Sequence, residues 1–207
     1  MTIISQIAPE ELLEHDCLDE RLLPPATLEG AKITSLELHD VNHPLFKKFV
    51  LATFAADLIC YPKLSDQVTF ERLMMVMNAF PQGFRTWFLQ LPGDVWRPVG
   101  YTGWYPMSEA MFDTFQNHPE QLKDRRVVPT ESDYLYLFNF SVAPYIKEKA
   151  LTKPLMTQFI ADIKRQNPKG LACITVSEDG IRNAERLGMQ RTGSVNGEGV
   201  YTTAHPK

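Results

Sequence analysis

The stretch from Tyr134 to Val176 constrains this chain most. Tyr134–Val142 is dense in aromatic and β-branched residues and reads as a strand. Leu155, Met156, Phe159, Ile160 and Ile163 then recur at helical spacing, and Leu171–Val176 is a continuous apolar run of the kind buried on both faces of a sheet. A strand, a helix and a buried strand in that order imply a parallel pair with a right-handed crossover. Antiparallel signals surround this unit. Phe84–Leu91 and Val95–Trp104 flank Pro92-Gly93-Asp94, and Gln190–Val195 and Val200–Thr203 flank Asn196-Gly197-Glu198-Gly199. The chain is therefore expected to be α/β, with a mixed, mostly antiparallel central sheet flanked by helices and a parallel strand–helix–strand unit at 134–176.

The amino-terminal half supplies the remaining elements. Lys32–Leu38 is an imperfectly alternating first strand. His43-Pro44 opens a helix carried by Leu45, Phe46, Phe49, Val50, Phe54 and Leu58 and closed by Pro62. Thr69–Phe80 fits a second helix, and Asp179–Leu187 a short one ended by Gly188. Residues 1–30 are acidic and carry Pro24-Pro25, so they read as an amino-terminal extension to a domain spanning 31–207. Residues 107–130 interrupt the strand pattern as an insertion, expected to fold as a flap or short helix from which Met111, Phe112 and Phe115 pack back on the body.

Charge and cysteine usage exclude several functions. The 207 residues carry 21 Lys and Arg against 25 Asp and Glu, a net charge of −4, so no basic field invites nucleic acid. The cluster Lys123, Arg125 and Arg126 reads as a solvated face. Three cysteines without C-x-x-C or Cys/His spacing indicate neither a disulfide framework nor a metal site. The longest apolar stretch, Phe49–Tyr61, is too short for a membrane span and holds Asp57 in its middle. With no basic region at the amino terminus, the expectation is a soluble, cytoplasmic protein.

The chemistry points to the loop after the strongest strand. Val142-Ala143-Pro144-Tyr145-Ile146-Lys147-Glu148-Lys149-Ala150-Leu151-Thr152-Lys153-Pro154-Leu155-Met156 leads into the clearest helix, with Thr152 as the expected cap and Pro154 in the first turn. A helix start offers unpaired backbone N–H groups to an anion, and Lys147, Lys149 and Lys153 add charge suited to a diphosphate. The same spacing also fits an ordinary strand-to-helix turn with solvated lysines.

Residues 142–156 resemble, without gaps, the acetyl-CoA diphosphate loop of the GNAT acyltransferase superfamily, V-x-P-x-Y-R-G-K-G-I-G-x-x-L-L. Val142, Pro144, Lys149 and Leu155 match; Lys147 stands for the Arg/Gln, and Ala150 and Thr152 stand for the two glycines. Ser177–Met189 resembles that family's N-x-x-A-x-x-x-Y-x-x-x-G-F, with Ser177 at the Asn and Ala184 at the Tyr. The resemblance implies a GNAT-like fold and an N-acetyltransferase using acetyl-CoA, or another acyl-CoA, as co-substrate and no metal. The acceptor would be a small-molecule or peptide amine, and a homodimer is an assembly the sequence allows. It also implies donor contacts from Phe140, Ser141, Val142, Lys147, Glu148, Lys149, Ala150, Leu151, Thr152, Lys153 and Ser177. The backbone of Asn139–Val142 would pair with the pantetheine arm, and the Val142 N–H would polarise the thioester carbonyl.

The family's usual acid is a tyrosine, and Ala184 cannot protonate a thiolate. Tyr201 is a candidate catalytic residue, and Asp57, His43, Tyr134 and Tyr136 are further candidates for the base, each with an ordinary structural reading beside it. A second reading therefore stands: a GNAT-like module without turnover that binds acyl-CoA, or engages a protein through residues 1–30 and 107–130.

Overall fold

Apolar periodicity turns into structure much as the sequence suggests. The structure, a computed structural model, describes residues 13, 24–25, 27–91, 95–122, 127–146 and 149–203, with the backbone alone at 95 and 149–151. Seven strands form one sheet in the order β1-β2-β3-β4-β5-β7-β6: β1 Lys32–Leu36, β2 Phe84–Leu91, β3 Val95–Met107, β4 Tyr134–Val142, β5 Gly170–Thr175, β6 Gln190–Val195 and β7 Glu198–Thr203. The helices are α1 Phe46–Cys60, α2 Phe70–Ala79, α3 Glu109–Asn117, α4 Lys149–Arg165 and α5 Glu178–Arg186. The sheet is mixed and mostly antiparallel, with β4 and β5 parallel. The chain divides into two compact units, Met1–Thr102 with Ser141–Leu155, and Gly103–Phe140 with Met156–Lys207.

In the first unit, β1 pairs antiparallel with β2 from Lys32↔Gln90 to Leu36↔Thr86, two residues short of the strand end expected at Leu38. Phe49, Val50, Ala52, Ala55 and Ala56 of α1 are fully buried, so this helix lies deep rather than at the surface. Its Thr53 hydroxyl bonds that of Thr86 on β2, which satisfies two buried polar groups at once. Thr69 caps α2 by accepting from the Arg72 N–H at 3.2 Å, and Leu73, Val76 and Met77 form its buried stripe.

In the second unit, β4 and β5 pair only from Tyr134↔Gly170 to Tyr136↔Ala172; Leu137–Phe140 and Cys173–Thr175 lie beyond that register. β5 then pairs with β7, and β7 with β6. Asn196 and Gly197 both take positive φ, 52° and 86°, as a tight two-residue hairpin turn requires. Inside the stretch 107–130, Met107 ends β3, three residues beyond the strand end expected at Trp104. Ser108 caps α3 through the Met111 N–H. Phe115 is fully buried and Phe112 stacks on Tyr134 at 4.5 Å, so α3 contributes to the core. Gly170 is required opposite it, because a Cβ there would lie 2.6 Å from the Phe112 ring.

One expected boundary is corrected. α4 begins by Lys149, so Thr152 lies within the helix rather than capping it, and Pro154 is interior. Pro154 has no N–H for the carbonyl of Ala150, four residues back. The Lys149-Ala150-Leu151 run has high helix propensity and carries the helix across that gap.

Candidate functional site

The end of β4 is where polar groups collect. Asp57, Cys60 and Tyr61 fall at i, i+3 and i+4, so they share one face of an otherwise apolar helix end. That spacing is the signal that could have found them together; the sequence singled out only Asp57. From β3 come Arg97, Val99, Gly100 and Tyr101, and from β4 come Ser141 and Val142, all within the first unit.

Asp57 is buried, and both carboxylate oxygens are bound. Oδ1 accepts from the Tyr101 hydroxyl at 2.8 Å and Oδ2 from the Val68 N–H at 2.9 Å. Burial outweighs both hydrogen bonds and pushes its pKa up to about 6. Burial, reinforced by the Asp57 charge, raises Tyr101 well above the usual phenol range. The Ser141 hydroxyl favours the ionised forms of the Cys60 thiol and the Tyr61 phenol, but burial outweighs it at both. Burial pushes the thiol up to about 12, and the phenol well above its ordinary value. Cys60 is thus a protonated thiol, its Sγ 3.8 Å from the Val99 carbonyl, and not a nucleophile.

The backbone here is tightly fitted. The Ala143 N–H reaches the Val99 carbonyl at 2.7 Å, and Gly100 faces the Ser141 carbonyl so closely that a Cβ would lie 2.3 Å from it. Past Val142 the chain turns through Pro144 and Tyr145. The Tyr145 hydroxyl is buried without a hydrogen-bond partner among the described residues, and desolvation pushes it up to about 12 despite the opposing charge of Arg97. Tyr145→Phe is expected to leave the unliganded chain as stable as before, or more stable by about 1 kcal/mol, because it deletes a desolvated hydroxyl that gains nothing from the fold. Urea denaturation measures this; a loss of more than about 1 kcal/mol would mean that the hydroxyl has a partner in solution.

The other residues singled out by sequence are placed as follows. Ser141 is buried and Val142 half-buried in the first unit, where Thr152 and Lys153 also lie on α4. Lys147 and Glu148 lie outside the described residues, as do Lys123, Arg125 and Arg126, and of Lys149, Ala150 and Leu151 only the helical backbone is described. Phe140 belongs to the second unit and packs on Phe159 of α4 at 5.4 Å. In that unit Ser177 caps α5, its Oγ accepting from the Gly180 N–H at 3.1 Å, and Ala184 is buried at 3% exposure. Tyr201 is also buried, paired with Cys173 on β5 and Arg191 on β6, with its ring against Gly199. Tyr134 and Tyr136 are held by the aromatic contacts of α3 and β3. A surface pocket lined by Glu109, Asp133, Tyr134 and Lys169 is occupied by their own ion pair and hydrogen bond. No group of three His, Cys, Asp or Glu that could hold a metal occurs among the described residues, and no described helix is long and apolar enough to cross a membrane.

No family model matches the sequence, and no curated protein matches it. Solved structures do. The loading GNATL domain of CurA from Lyngbya majuscula aligns over 84% of this chain and 97% of its own, with a TM-score of 0.58 at 13% identity. The GphF GNAT-like decarboxylase in complex with isobutyryl-CoA aligns over 84% and 98%, with a TM-score of 0.53 at 14% identity. A chain of the NatC complex bound to Gag peptide and CoA aligns over 84% and 98%, with a TM-score of 0.52 at 15% identity. Element order, the parallel pairing of β4 with β5 and these alignments agree: the chain has the GNAT fold, in a sequence far diverged from those it resembles.

Proposed function

We propose that this chain is an acyl-CoA-dependent N-acyltransferase that moves an acetyl group from acetyl-CoA to an amine. One observation carries the reading. The residues of the diphosphate-loop motif, 142–156, begin at the last residue of β4 and run into the first turns of α4. The first N–H groups of that helix have no intrahelical acceptor and suit a diphosphate, with Lys147, Lys149 and Lys153 beside them in sequence. Two of the similar structures hold CoA or isobutyryl-CoA, which supports the donor class.

In this reading Ser141 and Val142 line the thioester, and residues 147–153 hold the diphosphate. The Val142 N–H polarises the carbonyl, and a small-molecule or peptide amine attacks it directly. Ala184 favours a second reading, in which the same loop binds acyl-CoA without turnover, since its buried methyl has no proton to give.

Acetyl-CoA at about 100 times its dissociation constant is expected to add about 2.7 kcal/mol of stability, read as a raised melting temperature. Lys147→Glu should weaken binding more than Lys123→Glu; equal effects would mean nonspecific attraction. No thermal shift at millimolar acetyl-CoA would overturn both readings, and a shift without acyl transfer to any amine would select the second.

A further inference from the structure

The connector between α1 and α2, residues 61–69, is held by hydrogen bonds more than by apolar burial. Tyr61, Asp66, Gln67 and Val68 are half-buried and the others exposed, with Leu64 82% exposed at the tip. The Gln67 side-chain amide donates to the Tyr61 carbonyl at 2.7 Å, and the Asp66 and Gln67 N–H groups close a turn on Lys63 and Leu64. A tie to the interior comes from Asp57, which is 1% exposed. Its carboxylate accepts from the Val68 N–H of the connector at 2.9 Å and from the Tyr101 hydroxyl of β3 at 2.8 Å. A segment with so little buried apolar surface opens at low cost, so this bond bears heavily on whether it stays closed.

Neither bonded partner of Asp57 is a cation, and a carboxylate buried on an amide and a phenol resists ionisation. The groups around it do not reverse this. Cys60 and Tyr61, on the same face of the helix end, and Tyr101 are all held protonated by burial. In the connector Lys63 is exposed, and Asp66 accepts from the Ser65 hydroxyl at 3.0 Å. α2 meets α1 through Phe70 on Phe54 at 5.6 Å, with its Glu71 exposed and Arg72 half-buried, and β2 meets α1 through Thr86 on Thr53.

We propose that Asp57 is a pH-sensitive latch: protonated, it keeps the connector closed, and ionised, it favours a state in which the Val68 bond is open and water reaches the carboxylate. The closed state holds the Asp57 proton up to about pH 6, whereas a hydrated carboxylate releases it near 3.8. Closure is therefore favoured most below the lower value, and that advantage is lost as pH rises through the upper one. From about pH 5 to about pH 7.5 the opening equilibrium should rise about tenfold.

Native-state amide exchange read by NMR tests this, with each rate divided by its intrinsic value at that pH. The corrected Val68 rate in wild type is expected to be about tenfold higher at about pH 7.5 than at about pH 5. It should also be insensitive to low urea, whereas the amides of Phe49 and Val50, buried in α1, exchange through unfolding and speed up with urea. In Asp57→Asn, whose side-chain oxygen still accepts from Val68, the rise with pH should vanish. Should that variant not fold, the ¹³C-carboxyl titration of Asp57 in wild type decides, because the Val68 rise must level off at its midpoint. A flat Val68 profile, an equal rise in Asp57→Asn, a rise that ignores the Asp57 midpoint, or a Val68 rate as urea-dependent as that of Phe49 overturns the latch.

Discussion

Between about pH 4 and about pH 7 the wild-type chain is expected to lose about 3 kcal/mol of stability relative to Asp57→Asn. The native Asp57 has a pKa near 6, raised from 3.8 by burial. In that interval the folded chain therefore binds a proton that the unfolded chain has released. Stability from this group is fully present below the unfolded pKa and is lost as pH rises through the folded one. Asn imitates the protonated acid: its oxygen accepts from the Val68 N–H, and its amide donates to the Tyr101 oxygen. Urea denaturation of both chains across this range gives the difference directly. A difference that stays flat with pH would mean that water reaches Asp57 in solution.

Gly100→Ala is expected to destabilise by at least about 1–3 kcal/mol and to abolish acetyl-CoA binding. The new methyl would lie 2.3 Å from the Ser141 carbonyl oxygen and 3.0 Å from the Val142 Cα. Both obstacles are backbone, so no rotamer relieves them; the end of β4 must move, and with it the groups assigned to the thioester. Gly180→Ala is the matched control, because its Cβ would meet nothing nearer than 3.4 Å within α5. Alanine there should stabilise by about 0.5–1 kcal/mol through backbone entropy alone. Denaturation midpoints and acetyl-CoA titrations of the pair would show the opposite signs, and equal effects would refute the close approach at Gly100.

Where the determinants are local, the sequence is a good guide. The aromatic and β-branched density of Tyr134–Val142 marks β4 at both ends, and Asn196-Gly197 marks its hairpin because few residues accept positive φ. The start of α4 is misread because Pro154 argues for a first turn, while the good helix formers before it argue for an interior position. That Phe115 packs back on the body is legible from its spacing, but its partner is not: the Thr192 hydroxyl of β6 bonds the Phe115 carbonyl from far along the chain. The same holds for the site. Diphosphate-loop residues stand together in sequence, but Asp57 acquires the burial that raises its pKa, and its bonds to Tyr101 and Val68, only after folding.

The order β5-β7-β6 carries a consequence for synthesis. A ribosome delivers β5 and β6 first, yet the strand that lies between them, Glu198–Thr203, emerges last. From Thr175 to Thr203 that wait is on the order of seconds at typical elongation rates. Throughout it, Leu171, Ala172 and Cys173 belong to a strand whose far side has no partner, and β6 has none at all. A nascent chain stalled before Glu198 would hold that apolar edge open, the state most prone to pairing with a strand of another chain.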